Sequence, residues 1–385
     1  MKTGHTYDTA IVGAGVFGAW IAYHLRRSGQ DVILLDAYGA ANSRASSGGE
    51  SRIIRMGYGA DELYTRWAVR SLELWQDFFR DVGRPLIHRT GVLWLAPAGD
   101  PYTLATAATL EKVGVPFEHL APRELESRYP QLALGPEMRG VLEPESGVLL
   151  ARRAVQAVVE EAVRRGVCYL PEAIAAPAGG GRLYSISTRS GLKVSARNFV
   201  FACGPWLPKI FPDLLGDLIQ PTRQEVFFFG VEAGDLRFAP PAMPAWIDFN
   251  DLVYGVPDLE SRGFKIAIDR HGPPFDPDAG ERVVTAEGLV AVREHLARRL
   301  PALRNAPIVE TRVCQYENTS NGDFLIDRHP DFDNVWLVGG GSGHGFKHGP
   351  ALGAYVTDRV THAGLDDETR FTLATKSKAR QRLVY

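Results

Sequence analysis

Thr9-Ala10-Ile11-Val12-Gly13-Ala14-Gly15-Val16-Phe17-Gly18 passes from a short apolar strand through a glycine turn into a helix that continues to Arg27 and stops at Gly29. Asp31 to Leu35 reads as a second buried strand, closed by Asp36, eighteen residues beyond Gly18. A β-α-β unit of this kind has parallel strands and a right-handed crossover. In its G-x-G-x-x-G turn, Gly13 permits the bend, Gly15 lets the backbone approach a pyrophosphate, and Gly18 packs the helix on the strand. The helix start at Val16 offers unpaired N–H groups and partial positive charge to phosphates. Asp36, followed by Ala37, is placed to accept hydrogen bonds from adenosine ribose hydroxyls. The stretch predicts a dinucleotide site, and such a motif serves FAD and NAD alike.

Working outward, Asp61 to Asp81 reads as a long helix and Gly91 to Leu95 as a strand. Val155, Val158, Val159, Ala162 and Val163 recur at helical spacing, which predicts an amphipathic helix ending at Gly166. Tyr184–Thr188 and Leu192–Ala196 flank Ser190-Gly191 as a hairpin, with a separate apolar strand at Phe199–Ala202. Residues 224–268 are strand-rich, Leu289 to Leu300 reads as a helix, and Val335–Val338 is a last buried strand. The simplest assembly is one α/β unit from 1–86, 148–220 and 306–385, with a second unit, 87–147 and 221–305, inserted twice.

Composition narrows the function classes. With 385 residues, 45% apolar and 23% charged, the chain has the balance of a globular protein. Lys and Arg number 43 against 45 acidic residues, so there is no global basic field for nucleic acid or an anionic membrane. Three dispersed cysteines (Cys168, Cys203, Cys314) suggest neither a disulfide framework nor a zinc site and favour a reducing, cytoplasmic setting. No apolar run reaches the length of a membrane helix.

Two further stretches carry chemistry. Ser46-Ser47-Gly48-Gly49-Glu50-Ser51-Arg52-Ile53-Ile54-Arg55 sets two arginines three apart behind a small-residue loop. Guanidinium forks of this kind suit phosphate, a flavin ring or a substrate carboxylate. Ser342-Gly343-His344-Gly345-Phe346-Lys347-His348-Gly349-Pro350 follows the last buried strand. Its backbone N–H groups suit the negative charge of a reduced flavin, with His344 and Lys347 near the ring. No third ligand is spaced there for a metal.

Arg52-Ile53-Ile54-Arg55, Gly343-His344-Gly345-Phe346-Lys347, and Cys314 ahead of Phe324-Leu325-Ile326-Asp327-Arg328-His329-Pro330 together resemble the monomeric sarcosine oxidase family. Its relatives include N-methyltryptophan oxidase and pipecolate oxidase, and the likeness runs from Asp8 to about Asp358. The resemblance implies an α/β two-domain flavoprotein of the glutathione-reductase and D-amino-acid-oxidase type. It joins a Rossmann-like FAD-binding domain to a β-rich α+β substrate domain.

It further implies FAD attached through its 8α-methyl carbon to the sulfur of Cys314. Gly13, Gly15, Val16, Gly18, Asp36, Ala37, Ser46, Arg52, Gly343, His344, Gly345, Phe346 and Lys347 are the other expected cofactor contacts. Arg52 and Lys347 match the pair that holds the substrate carboxylate, and Tyr254 a tyrosine lining the pocket. Lys265 matches the lysine that activates oxygen, because a fixed ammonium stabilises the charge oxygen acquires.

Local patterning agrees with that assignment. Phe264, Ile266 and Ile268 alternate with Lys265, Ala267 and Asp269, so one strand face is charged. With Asp258–Ser261 as a hairpin loop, Tyr254 is expected directly opposite Lys265. Asp269 stands where sarcosine oxidase has histidine. It is compatible with a second amine or polyhydroxy arm on the substrate, or with a salt bridge to Lys265 or Arg270.

The resulting expectation is a monomeric oxidase of a secondary or cyclic amino acid. A hydride equivalent passes to the flavin, the imine hydrolyses, and oxygen yields hydrogen peroxide. The alternatives are a same-fold dehydrogenase with another acceptor, an NAD-dependent dehydrogenase, and a non-catalytic flavin-binding or redox-sensing protein.

Overall fold

A computed structural model describes residues 5–362 and 364–378. The strand Thr6–Val12, the helix Val16–Arg27 and the strand Val32–Leu35 form the expected parallel β-α-β unit. They are the centre of a seven-stranded sheet. From one edge its strands run Leu325–Arg328, Val335–Gly339, Lys193–Phe201, Thr6–Val12, Val32–Leu35 and Cys168–Leu170, with Ser185–Ser187 added against Lys193–Phe201.

The expected hairpin return and the apolar strand after it are one nine-residue strand, Lys193–Phe201. Ser195 pairs with Ser185 on one side and Thr6 on the other, so one continuous strand serves both ladders. Its burial alternates at first and becomes continuous from Phe199, where both faces of the sheet are covered.

Helices lie over the central strands. Ala151–Arg164 buries Val155, Val158, Val159 and Ala162, but Val163 turns outward at 42% exposure, one step beyond the apolar face. Glu62–Val82 starts where Asp61 accepts the Tyr64 N–H at 3.3 Å and ends at Gly83, whose φ of 66° is left-handed. Gly349–Thr361 packs on Val16–Arg27 around Trp20.

The second unit is an eight-stranded mixed sheet. Its central hairpin, Val253–Val256 with Phe264–Ile268, is flanked by Ala245–Asp248 and by the long pair Gln220–Phe229 and Ile308–Asn318. Ile308–Asn318 was expected in the nucleotide-binding unit, yet it pairs along its whole length with Gln220–Phe229. The second sheet therefore extends past residue 306, and its last strand carries Cys314 to the seam between the sheets.

In the hairpin, Val256 faces Lys265 and Tyr254 faces Ala267, a register two residues from the expected one. The tight turn is centred on Glu260 and Ser261, both at positive φ, with the Arg262 N–H donating to the Leu259 carbonyl. An even displacement preserves side-chain parity, so Tyr254 and Lys265 still share a face.

Candidate active site

A cavity of about 660 Å³ runs from Asp36 and Ala37, past Gly13, Gly15 and Val16, to Ser46, Arg52, Cys314, Gly343, Gly345 and Phe346. Gly13 (φ 105°) lies against the Ala202 carbonyl, and Gly18 lies against the Gly13 carbonyl, so a side chain fits at neither. A Cβ on Gly15 would have only the Ser47 hydroxyl near it, at 3.5 Å. The glycine that should face a pyrophosphate is thus the one with open space before it. Ser47, which the sequence reading did not single out, accepts the Val16 N–H at 3.0 Å. Asp36 accepts the Ala14 and Tyr38 N–H groups at 2.7 and 2.9 Å, and burial raises its carboxyl above the usual range.

Glu317 was also missed. It lies buried beside the 339–341 loop and lines the same cavity. Its Oε1 accepts the Gly341 N–H at 3.2 Å, while Oε2 has no partner among the described residues. Burial pushes this carboxyl up to about 7.

A second cavity of about 110 Å³ adjoins the first at Arg52, Cys314, Tyr316, Gly343 and Phe346. It is lined by Arg55, Tyr254, Lys265, Asp269, His344 and Lys347, so the structure brings together every residue expected to touch substrate. Lys265 is only 2% exposed, and its Nζ donates to the Ser51 carbonyl at 3.0 Å. Burial, with the Arg52 charge second, lowers its ammonium to about 7. The same Nζ lies 5.5 Å from the Tyr254 ring centroid.

The two arginines of the Arg-Ile-Ile-Arg stretch face different neighbours. Arg52 donates to the Ser46 and Ser51 carbonyls and reaches the Cys314 sulfur at 3.5 Å, which places it at the junction of the two cavities, with its charge acting on Lys265. Arg55 is buried between the rings of Tyr58 (4.5 Å) and Trp94 (4.7 Å), and its charge acts on Lys347. Glu143, fully buried, organises that sandwich by accepting the Trp94 indole N–H at 2.7 Å and the Met56 and Gly57 N–H groups at 2.7 and 3.1 Å. Arg52, Arg55 and Lys347 all line the second cavity, and of the two arginines it is Arg55 whose charge acts on Lys347.

Asp269 accepts the Tyr316 hydroxyl at 2.9 Å, while Lys265 is held by Ser51. Asp269 and Lys347 lie at the same cavity; burial, with the Arg55 charge second, holds the Lys347 ammonium well below its usual range, and the Glu143 and Asp269 carboxylates oppose this only in part. Asp248, Asp251 and His295 approach the spacing of metal ligands. However, Arg299 donates to Asp248 and Arg298 to Asp251, each at 3.0 Å, and these charges compensate the two carboxylates. Among the described residues no helix is long and apolar enough to cross a membrane.

A glycine turn at the head of a parallel sheet, a long cavity leading from it, and a buried basic pocket at its far end define a dinucleotide-dependent oxidoreductase. Residues 8–359 match the FAD dependent oxidoreductase family, and the chain belongs to it. It is 30% identical to the peroxisomal sarcosine oxidase of Mus musculus, with 90% of each chain covered. It is 29% identical to an N-methyl-L-tryptophan oxidase of Escherichia coli, over 96% of this chain and 99% of the relative. Among solved structures, L-proline dehydrogenase from P. horikoshii shares the fold with a TM-score of 0.82 at 21% identity, covering 96% and 97% of the two chains.

Proposed function

We propose that this chain is an FAD-dependent oxidase of a secondary or cyclic amino acid, forming an imine that hydrolyses and reducing oxygen to hydrogen peroxide. The observation that carries the reading is Lys265, a buried lysine held beside Tyr254 in the small cavity that adjoins the cofactor cavity. The sarcosine and N-methyltryptophan oxidases it resembles support the choice of an N-substituted amino acid.

The residues present fit FAD. The open space at Gly15 suits a pyrophosphate, and Asp36 suits a ribose. The partnerless Glu317 Oε2, between the glycine turn and the Cys314 end, suits the hydroxyl groups of a ribityl chain. Cys314 borders both cavities, which suits a thioether to the flavin 8α carbon. When bound, FAD supplies the two-electron acceptor for the amine and passes those electrons to oxygen.

The chain's own residues bind, orient and exclude water. Arg55 and Lys347 hold the substrate carboxylate and Tyr254 forms a wall, fixing the amine-bearing carbon toward the cofactor cavity. Arg52 serves the cofactor side. Asp269, braced by Tyr316, meets a cationic or hydroxyl-bearing arm of the substrate. Lys265 supplies positive charge where oxygen is reduced. That last role favours an oxidase over a same-fold dehydrogenase. The protein is read as a monomer, and its three dispersed cysteines, none in a disulfide among the described residues, suit a cytoplasmic setting.

Peroxide release tests the reading. Stoichiometric peroxide from an N-methyl or cyclic amino acid in air supports it. Turnover only with an artificial electron acceptor would favour the dehydrogenase.

A further inference from the structure

The ammonium of Lys347 is held by a buried network that the proposed chemistry does not use. Its Nζ donates to the Tyr58 hydroxyl oxygen at 2.6 Å and to the His344 carbonyl at 3.1 Å. The same Tyr58 oxygen lies 3.1 Å from His344 Nδ1 and 2.7 Å from His348 Nε2. His344 Nε2 lies 3.0 Å from the Gly322 carbonyl. Tyr58, His344, Lys347 and His348 are all buried.

Hydrogen-bond logic assigns the protons. A carbonyl only accepts, so His344 Nε2 carries hydrogen and Nδ1 of the neutral ring accepts. Tyr58 has one proton, which goes to that Nδ1. Its oxygen then takes N–H groups from Lys347 and from His348 Nε2. His348 Nδ1 is left as a bare lone pair, in agreement with its lack of a partner among the described residues. The opposite assignment, with the Tyr58 proton on His348, leaves a buried N–H orphaned as well as an unused acceptor on His344. Unpaired buried N–H groups are the rarer defect. Burial and the neighbouring cations Lys347 and Arg55 also keep His348 neutral.

We infer that Tyr58 and His348 are positioning residues for substrate binding: together they fix Lys347 so that one N–H of its ammonium faces the carboxylate in the cavity. This rests on the reading of Lys347 as a carboxylate partner. Lys347 has three N–H groups; Tyr58 and the His344 carbonyl take two, and the third remains for the ligand. His348 matters because its Nε2–H and the Lys347 ammonium together occupy both lone pairs of Tyr58. The phenol is thereby held in one orientation, its proton turned to His344.

The test uses flavin-loaded protein and acetate, a bare carboxylate, with binding read from the change in flavin absorbance and acetamide as the uncharged control. Lys347→Met should weaken acetate, leaving acetamide unchanged. Tyr58→Phe should weaken acetate about ten- to a hundredfold, the loss expected for a hydrogen bond to a charged group. The double variant should bind acetate no worse than Lys347→Met, because Tyr58 acts through Lys347. His348→Gln, which keeps a donor near the Nε2 position, should retain most of the affinity that His348→Leu loses. Flavin-to-protein ratios check that each variant folds, and the His348 pair carries the test if Tyr58→Phe does not.

Additive losses in the double variant, or unchanged acetate binding in Tyr58→Phe or His348→Leu, would overturn the inference while leaving the role of Lys347 intact. Unchanged acetate binding in Lys347→Met would remove the carboxylate reading and this inference with it.

Discussion

Replacing Lys265 with methionine should separate what this residue costs the fold from what it does for the reaction. The lysine is 2% exposed, and burial together with Arg52 moves its ammonium from 10.5 to about 7. Below about pH 7 the folded protein carries a buried charge that the unfolded chain carries in water. The gap between 10.5 and about 7 corresponds to roughly 5 kcal/mol. The unfolded state binds this proton first as pH falls, so the cost is absent above about pH 10.5, grows down to about pH 7 and is constant below. Methionine has nearly the same length and no charge, so it removes that cost. It also forfeits the hydrogen bonds to Ser51, worth about 1–3 kcal/mol. Lys265→Met should therefore be more stable than the wild type by roughly 2–4 kcal/mol at neutral pH, measured by denaturant unfolding. Stopped-flow mixing of substrate-reduced protein with oxygen should show flavin reoxidation slowed about 10²–10³-fold, the usual loss on removing one preorganised charge. Anaerobic reduction by substrate should change little. Equal slowing of both half-reactions would refute the oxygen role, and a less stable variant would refute the burial argument.

Three other outcomes follow from the site. Cys314→Ala should release its flavin into the supernatant on acid precipitation, whereas the wild type should keep its flavin with the pellet; wild-type release would exclude Cys314 as the attachment point. Arg55→Met should raise KM about a hundredfold or more with flavin content unchanged, because it removes a charge-assisted contact to the carboxylate, while Arg52→Met should lower flavin content or shift its spectrum. Steady-state kinetics and absorbance spectra distinguish the two, and the reverse pattern would restore Arg52 as the carboxylate partner. In flavin-free protein, Glu317 binds a proton up to about pH 7 when folded but only to about 4.5 when unfolded, so it loses stability across that window as pH rises. Glu317→Gln should remove this loss and be more stable above about pH 7 by up to about 3 kcal/mol, seen in unfolding curves at several pH values.

The features legible in the sequence were those set by local geometry or by parity. The glycine turn and Asp36 lie within a single β-α-β unit, where chain order dictates position. The shared face of Tyr254 and Lys265 survived a two-residue error in register because side chains alternate with a period of two. The error came from taking Asp258–Ser261 as the loop, when Glu260 and Ser261 make the left-handed turn. Arg52 and Arg55 were found as a pair, but their division of labour depends on Trp94 and Glu143, brought from distant strands. His348 stood inside a quoted motif, and Tyr58 three residues beyond another, without a role, since their meeting joins segments 290 residues apart. Glu317 gave no periodic signal at all. The continuity of Lys193–Phe201 was hidden because its two halves read as different kinds of strand, one half-exposed and one buried.

Anaerobic mixing of the flavin-loaded protein with N-methyl, cyclic and N-glycated amino acids tests the central claim most directly. It reports amine oxidation whatever the electron acceptor. The visible flavin absorbance should bleach with at least one of these classes and return on admitting oxygen, with release of peroxide. Absorbance unchanged by every member of the panel would contradict an amine-oxidising function for the site formed by Arg55, Tyr254, Lys265, Asp269 and Lys347.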